Sequence, residues 1–595
     1  MTATLHRTAD DTLLLKCSVM LTDLAKQVPG ARPDRTDPTG ESWRIPLSPI
    51  AVDIVWSVFR GQVELDRTVI DYMGEHSGLV QQLAANRDGM YRDGFIKNYP
   101  AVAENLWPLQ VDGVLHLATA KTAYLCDEMG AGKTIQCYRA LDYLDDWEQD
   151  PYPALVVANK SALRTAWFDE AARWSRTAES VVVVDGTAPQ RRKALDRAAE
   201  EIAAGVNTVI VVGWGALSKH TRLDPYGNIS LKPEDKEPKE LNAIPFRTVI
   251  ADESHKAKEW KTQRTRALWA VAHAPEVEYR WALTGTPVTG FEQDLWGIGH
   301  FVQPDFYPRK TQWEARYVDV RTLPGRDYPI VVGFRQENYD EMIRHFDPYL
   351  MRRLKAEIIP NYQGKLPVKT VEVEMGAKQK KLYKQMADDM FVVTDTGALA
   401  AVEPIEQLLR LNVMAAATPV IEQDDEGVAQ VTALTMPSCK VDAALEIMEE
   451  LGDRPAVMFA ESKLLINLME EQLKAAGYDV MRVTGDEDST LRAANIRAFQ
   501  NGDVQVALCT YGAGAESITL NQADTVVRLQ RTYRFDLDTQ APDRVDRGER
   551  TVPVQVIDLV TLGTSEHGVH NRIEEKYDNF QQVVRDHLRE VYNVQ

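Results

Sequence analysis

The stretch Asp127-Glu128-Met129-Gly130-Ala131-Gly132-Lys133-Thr134 sets two glycines, an amine and a hydroxyl in an order suited to gripping phosphate. It follows the apolar run Thr122-Ala123-Tyr124-Leu125-Cys126 and opens a segment with Ile135, Tyr138, Leu141 and Leu144 at helical spacing. A strand, a turn and a helix N-terminus in that order aim backbone N–H groups and the positive end of a helix dipole at an anion. Gly130 and Gly132 would let the main chain approach without a Cβ in the way. Lys133 would then reach the β- and γ-phosphates of ATP, and the Thr134 hydroxyl would hold Mg²⁺. Asp127 stands where a general phosphate loop has its first glycine, so Gly-Lys-Thr alone is equally compatible with an ordinary helix start carrying a surface lysine.

Three further constellations could do related chemistry. The strand Arg247–Ala251 delivers Asp252-Glu253-Ser254-His255, and an acidic pair at the carboxyl end of a parallel strand lies where open α/β sheets bind ligands. Asp252 would hold Mg²⁺ and Glu253 would orient and deprotonate an attacking water; the plainer alternative is an Asp-Glu pair starting a helix. Next, Arg280–Leu283 runs into Thr284-Gly285-Thr286-Pro287, either a simple turn or a hinge whose hydroxyls sense the acidic pair. Finally, Gln540 to Arg547 sets Arg544 and Arg547 three apart, on one face if helical. They would stabilise transition-state charge on a γ-phosphate, or else sit on a surface helix with Asp/Arg pairs.

The elements that must position these residues follow from patterning. Val- and Ile-rich runs at 154–158, 181–184, 208–212, 248–251 and 281–284, separated by helical stretches, predict a parallel sheet covered on both faces. A second series at 456–459, 480–483, 504–509, 525–529 and 554–560 predicts another. The expected fold is therefore α/β, with two tandem parallel-sheet lobes and helical insertions. Residues 1–95 predict a small α+β module, with strands at Leu13–Cys17 and Trp43–Leu47 and a helix starting at Ser48-Pro49. That module carries no catalytic constellation; it is a packing unit or an accessory DNA grip. The boundaries read as 96–300 for the first lobe, 301–437 for a helix-rich insertion and linker, and 438–595 for the second lobe with a C-terminal helix. An acidic break at Asp424-Asp425-Glu426-Gly427 reads as a loop, and 221–243 as an exposed, polar, Pro-rich insertion.

Bulk properties narrow the classes. With 595 residues the chain is too long for one core. No run of about 18 apolar residues predicts a membrane span, and the first residues lack an apolar signal segment, so a cytoplasmic protein is expected (the host cytoplasm if viral). The five cysteines lie far apart, which excludes a disulfide framework. The formal net charge of −20 argues against coating nucleic acid through bulk charge. A cleft needs only local cations, and clusters stand at 191–193, 256–266, 352–355 and 378–384; each is more often a solvated helix face than a ligand groove.

The order of these motifs resembles very closely the SWI/SNF-type (sucrose-non-fermenting) DNA translocases of helicase superfamily two, in which Asp at the first loop position is usual. Trp107-Pro108-Leu109-Gln110 resembles the element that reads adenine, with Gln110 in the glutamine's place. The segment 158–174, the acidic box, 283–296, Leu350 to Pro367, Thr510 to Val526 and Gln540 to Arg547 also match in order. The resemblance covers about 100 to 580. It implies two RecA-like lobes, ATP held by Gln110 and residues 127–134, Mg²⁺ at Thr134 and Asp252, and catalysis by Lys133, Asp252, Glu253, Arg544 and Arg547. It further implies coupling through His255, Thr284, Gly285 and Thr286, and DNA contacts at Lys160, Ser161, Arg353, Thr510 and Gly512. Departures include Asn159 for a usual proline, Gln530 for an acidic residue, Tyr533 for tryptophan, and Gly548-Glu549-Arg550 after the arginines. The compact size resembles bacteriophage and bacterial versions, with some annealing-helicase-like features. The implied activity is a DNA-dependent ATPase moving along double-stranded or branched DNA and acting on DNA-bound proteins. A strand-separating helicase and a remodelling or annealing factor are the alternatives.

Overall fold

The Val- and Ile-rich runs are strands because a run whose side chains are apolar on both faces of the pleat needs cover on both faces. In the computed structural model they form two parallel sheets. The structure describes residues 3–227, 229–285, 294–321, 330–394, 397–401, 403–423, 429–487, 489–514, 518–548 and 550–568. The chain divides into two units, Met1–Ile358 and Ile359–Gln595.

The first unit begins with β1 Ala3–Arg7, β2 Thr12–Lys16, β3 Arg32–Pro33, β4 Ser42–Pro46 and β5 Val63–Leu65, in the order β3-β4-β2-β1-β5. Only β1 and β5 pair in parallel. The helix Pro49–Val58 covers this sheet. Ser48 caps it by accepting the Ala51 N–H at 3.2 Å, and its stripe Ile50, Ile54 and Val55 is buried. The module is not set apart from the rest. The long helix Arg67–Arg87, capped by Asp66, packs against the helix Pro108–Ala120. There Asn86 donates to Thr119 Oγ1 at 3.0 Å and Arg87 to the Asp347 carboxylate at 3.0 Å.

The central sheet holds β6 Thr122–Leu125, β7 Ala154–Ala158, β8 Ser180–Val184, β9 Thr208–Gly213, β10 Thr248–Asp252 and β11 Tyr279–Leu283. After the antiparallel ribbon of β12 Val318–Arg321 and β13 Ile330–Phe334, the short β14 Leu350–Met351 joins its edge. The order is β14-β6-β11-β10-β7-β9-β8, parallel throughout. The insertion 221–243 is anchored rather than simply exposed: Leu223 is buried, and Tyr226 packs against Trp260, Trp269, Trp296 and His300.

The second unit carries β15 Lys369–Val373, the ribbons β16 Phe391–Val393 with β17 Ala398–Ala400 and β18 Thr418–Gln423 with β19 Ala429–Thr435, then β20 Ala456–Ala460, β21 Val480–Val483, β22 Val506–Thr510, β23 Thr525–Arg528 and β24 Gln555–Thr561. Its sheet runs β15-β24-β23-β20-β22-β21, again parallel. The stretch 301–437, expected as one helix-rich linker, is divided between the units at 358 and holds three antiparallel ribbons beside its helices. The acidic break at 424–427 and the expected C-terminal helix lie outside the described residues.

Candidate active site

The phosphate-gripping stretch leaves the carboxyl end of β6 and turns into the helix Lys133–Asp146. Gly130 and Gly132 take φ of 84° and 83°, the left-handed backbone where a Cβ is strained. Space limits Gly132 as well, since a Cβ there would stand 2.4 Å from Gln110 Nε2. Gln110 is buried in the helix Pro108–Ala120, accepts from the Trp107 N–H at 3.0 Å and donates to the Ala131 carbonyl at 3.0 Å. Lys133 Nζ donates to the carbonyls of Asp127 at 2.7 Å and Glu128 at 3.4 Å. Burial lowers its pKa, against the opposing charges of Glu253, Asp127 and Asp252.

The odd aspartate of the loop has a structural explanation. Asp127 is fully buried, and its carboxylate accepts from the Arg353 N–H at 3.1 Å, Arg353 Nε at 3.0 Å, Arg353 Nη2 at 2.6 Å and Gln136 Nε2 at 3.1 Å. Arg353 also donates to the Leu109 carbonyl and, at 2.9 Å, to Gln136 Oε1. Its neighbour Arg352 donates to the carbonyls of Cys126 at 2.9 Å and Gly285 at 3.0 Å. The Cys126 N–H donates to the Met351 carbonyl at 2.7 Å, and the Glu128 N–H to the Arg353 carbonyl at 2.9 Å. Residues 350–355 therefore clamp the loop from behind. Arg353, expected at the DNA, has its guanidinium forked onto the buried Asp127 carboxylate.

The acidic pair ends β10, two strands from β6, with β11 between them. Asp252 Oδ2 accepts from Trp167 Nε1 at 3.0 Å, and Oδ1 accepts from the Glu253 N–H at 3.0 Å. The Asp252 carbonyl accepts from Trp214 Nε1 at 2.9 Å. Burial and then the charge of Glu253 push the Asp252 carboxyl up to about 6. Glu253 holds a left-handed backbone, φ 51° and ψ 50°, an uncommon conformation for a glutamate. His255 is buried with Nδ1 3.3 Å from Thr284 Oγ1 and 3.4 Å from Glu253 Oε2, so it joins the acid to the end of β11. Gly285 touches the loop: a Cβ there would stand 2.6 Å from Met129 Cγ. Thr286, read as part of the same hinge, lies outside the described residues.

Other expected site residues are placed as follows. Lys160 is exposed, with Nζ 3.9 Å from Asp185. The Ser161 hydroxyl oxygen is buried and makes no hydrogen bond among the described residues, while its carbonyl accepts from Thr165 Oγ1 at 3.0 Å. Asn159, in place of a proline, accepts from Lys256 Nζ. In the second unit Thr510 ends β22, nearly buried, and Gly512 is exposed in the following turn. The string Gln540 to Arg547 is not one helix: Phe535–Gln540 is helical, Pro542–Arg544 is a 3-10 turn, and the helix stops before Arg547. Arg544 is buried, donating to Gln540 Oε1 at 3.3 Å, whereas Arg547 is half-buried, donating to Thr519 Oγ1 at 3.0 Å.

Trp214 and Gln136 escaped the reading of the sequence, and Lys256 entered it only as part of a cation cluster. Trp167 stood within a segment that had been read only for DNA contact. Its tie to Asp252 spans 85 residues and leaves no mark in local spacing.

A phosphate-gripping turn, a half-buried acid pair and a histidine-linked threonine at the carboxyl ends of neighbouring parallel strands, with a second parallel sheet in the same chain, define an ATP hydrolase fold of the helicase class. Residues 82–417 match the SNF2-related domain and residues 439–549 the helicase conserved C-terminal domain, and the chain belongs to the SNF2-related family. Among relatives, the SWI/SNF chromatin-remodeling complex subunit snf22 of Schizosaccharomyces pombe is 25% identical, over 76% of this chain and 26% of its own. The SWI/SNF-related matrix-associated actin-dependent regulator of chromatin subfamily A-like protein 1 of Xenopus tropicalis is 28% identical, over 80% of this chain and 44% of its own. The chain thus spans less than half the length of these relatives. A solved structure, the Sulfolobus solfataricus SWI2/SNF2 ATPase core in complex with dsDNA, is similar at 21% identity and a TM-score of 0.36, over 81% of this chain and 93% of that one. No described helix is long and apolar enough to cross a membrane.

Proposed function

We propose that this protein is a DNA-dependent ATPase that moves along double-stranded DNA, remodelling the duplex or displacing proteins bound to it. The observation that carries the reading is the meeting of Lys133, the Asp252–Glu253 pair and Thr284 at the ends of β6, β10 and β11 in one unit. The donor set fits a magnesium triphosphate: an ammonium, a hydroxyl at Thr134, and two carboxylates, of which Asp252 is raised by burial and then by the charge of Glu253. Thr134 and Asp252 would hold Mg²⁺, which supplies neutralisation of phosphate charge.

Lys133 exchanges its loop carbonyls for phosphate oxygens, and Gln110 exchanges the Ala131 carbonyl for the adenine edge. Glu253 orients the attacking water and accepts its proton. His255 holds Glu253 and Thr284 in one arrangement, so a change at either is felt at the other. Arg544 and Arg547 of the second unit stabilise the charge that develops on the transferred phosphoryl group. Lys160, Thr510 and Gly512 meet the DNA backbone, which makes sequence specificity low. Double-stranded or branched DNA is the partner, with DNA-bound proteins displaced by the motion. Four of the five cysteines are buried and all are free, in keeping with a reducing, intracellular setting.

The test is the ATP hydrolysis rate with no nucleic acid, then with single-stranded, duplex and forked DNA, and with RNA. Duplex DNA raises the rate most and strand-displacing activity on a fork stays low. A rate indifferent to every nucleic acid refutes the reading, and unwinding of the fork moves it to a strand-separating helicase.

A further inference from the structure

The Asp252 carboxylate accepts only two hydrogen bonds among the described residues, one from the next residue's N–H and one from a side chain, the indole of Trp167. Trp167 is fully buried and lies in a six-residue π-helical turn, Leu163–Phe168, in the segment that follows β7. Single π turns widen a helix by one residue and recur at functional sites. Here the turn sits between the loop Asn159–Ser161 and the helix Asp169–Trp174. The Trp167 carbonyl accepts the Tyr138 hydroxyl at 2.5 Å, with the two rings 5.6 Å apart. Tyr138 belongs to the helix that begins at Lys133. One residue therefore touches the helix behind the phosphate loop, the carboxylate that ends β10, and the segment after β7. A second tie runs between the same two segments, from Lys256 to Asn159 Oδ1.

We propose that Trp167 is a positioning residue that makes the orientation of Asp252 depend on the loop Asn159-Lys160-Ser161, and so links nucleic acid at that loop to the acid pair. The inference rests on the DNA-translocase reading of the same site. An indole N–H only donates and does not ionise, so it fixes one oxygen of the carboxylate in one direction. The bond is part-buried and charge-assisted, with the indole itself fully buried, which makes it strong enough to bias the carboxylate between two orientations. A displacement of Lys160 and Ser161 is passed along the turn to the indole, while the Lys256 tie moves the residues beyond the acid pair in step. Because the coupling is thermodynamic, nucleotide must change DNA affinity as DNA changes the nucleotide site.

Trp167→Phe in the full chain tests this, since it removes the N–H and leaves a smaller aromatic ring in its place. The ratio of duplex-stimulated to unstimulated turnover falls about tenfold, the loss of one charge-assisted hydrogen bond. It falls through kcat, with KM for ATP within about twofold. The Mg²⁺ concentration for half-maximal turnover rises. Fluorescence anisotropy of a labelled duplex gives a readout free of turnover: the affinity change caused by a non-hydrolysable ATP analogue with Mg²⁺ shrinks. If Trp167→Phe does not fold, Asn159→Ala, which cuts the Lys256 tie, carries the same comparison. A variant with wild-type stimulation and a wild-type nucleotide-dependent affinity change overturns the proposal. A wild-type protein that no nucleic acid stimulates overturns the translocase reading, and this coupling with it.

Discussion

At the scale of single residues, the candidate site is a balance of half-buried charge. In the proposed reaction Lys133 and Glu253 separate binding from chemistry. Lys133→Ala abolishes turnover because the phosphate contact goes, whereas Glu253→Gln keeps nucleotide affinity and loses hydrolysis by about 100-fold or more. Fluorescent-nucleotide titration beside single-turnover hydrolysis checks both, and a Glu253→Gln variant with a normal burst would remove the base from the mechanism. Asp252 adds a pH signature. Its carboxyl, raised to about 6 from 3.8, holds a proton more tightly in the folded than in the unfolded chain. The stability it contributes is therefore full below the unfolded value and is lost as pH rises through about 6. Asp252→Asn removes that loss, so it stabilises the nucleotide-free protein by about 2 kcal/mol more at pH 7.5 than at pH 4. Thermal denaturation across that range measures it. Binding of a magnesium nucleotide, which needs the carboxylate, weakens as pH falls through 6 and releases a proton there, which titration calorimetry in buffers of different ionisation enthalpy detects.

At the scale of elements, the clamp at 350–355 decides how firmly the phosphate loop is held. The two-residue strand β14 adds to the edge of β6, and the chain then sends Arg352 and Arg353 under the loop before leaving the first unit at Ile358. Removing one partner of a buried, hydrogen-bonded pair strands the other charge, so Arg353→Ala costs about 3–5 kcal/mol. Arg353→Lys keeps the charge but loses the fork, and its expected effect is on ATP affinity, raising KM about tenfold with kcat less affected. Denaturant melts and steady-state kinetics distinguish this from a DNA contact, whose loss would leave KM for ATP and stability unchanged.

At the scale of the whole molecule, the two units enter the proposed reaction differently. Arg544 is buried among residues of its own unit while Arg547 is half-buried, so the two arginines should separate. Arg547→Ala lowers kcat by about a thousandfold with little change in stability, and Arg544→Ala lowers the melting temperature of the second unit as well. If Arg547→Ala turns over ATP normally, that arginine has no part in the chemistry. The N-terminal module belongs with the first unit through Asn86, Arg87 and the helix Arg67–Arg87. Deleting residues 1–95 therefore lowers thermal stability and basal ATP turnover together, because it uncovers the helix that carries Gln110. Loss of branched-DNA preference alone would make the module a DNA grip.

What the sequence determined by itself was everything carried by local period and local chemistry. The Val- and Ile-rich runs place ten strands of the two parallel sheets, since burial on both faces forbids polar alternation there. The glycines at 130 and 132 and the order of the motifs placed the phosphate turn and the acid pair. The ribbons at 318–334, 391–400 and 418–435 were not legible, being short, partly exposed and without a strong alternating pattern. Only the tertiary structure decided which polar groups meet: Arg353 with Asp127, Trp167 with Asp252, His255 with Thr284. Each of those bonds closes across 29 to 226 residues of chain. A sheet brings strand ends together in an order unrelated to sequence order, so the partners of a buried charge are fixed by topology, and spacing along the chain carries no record of them.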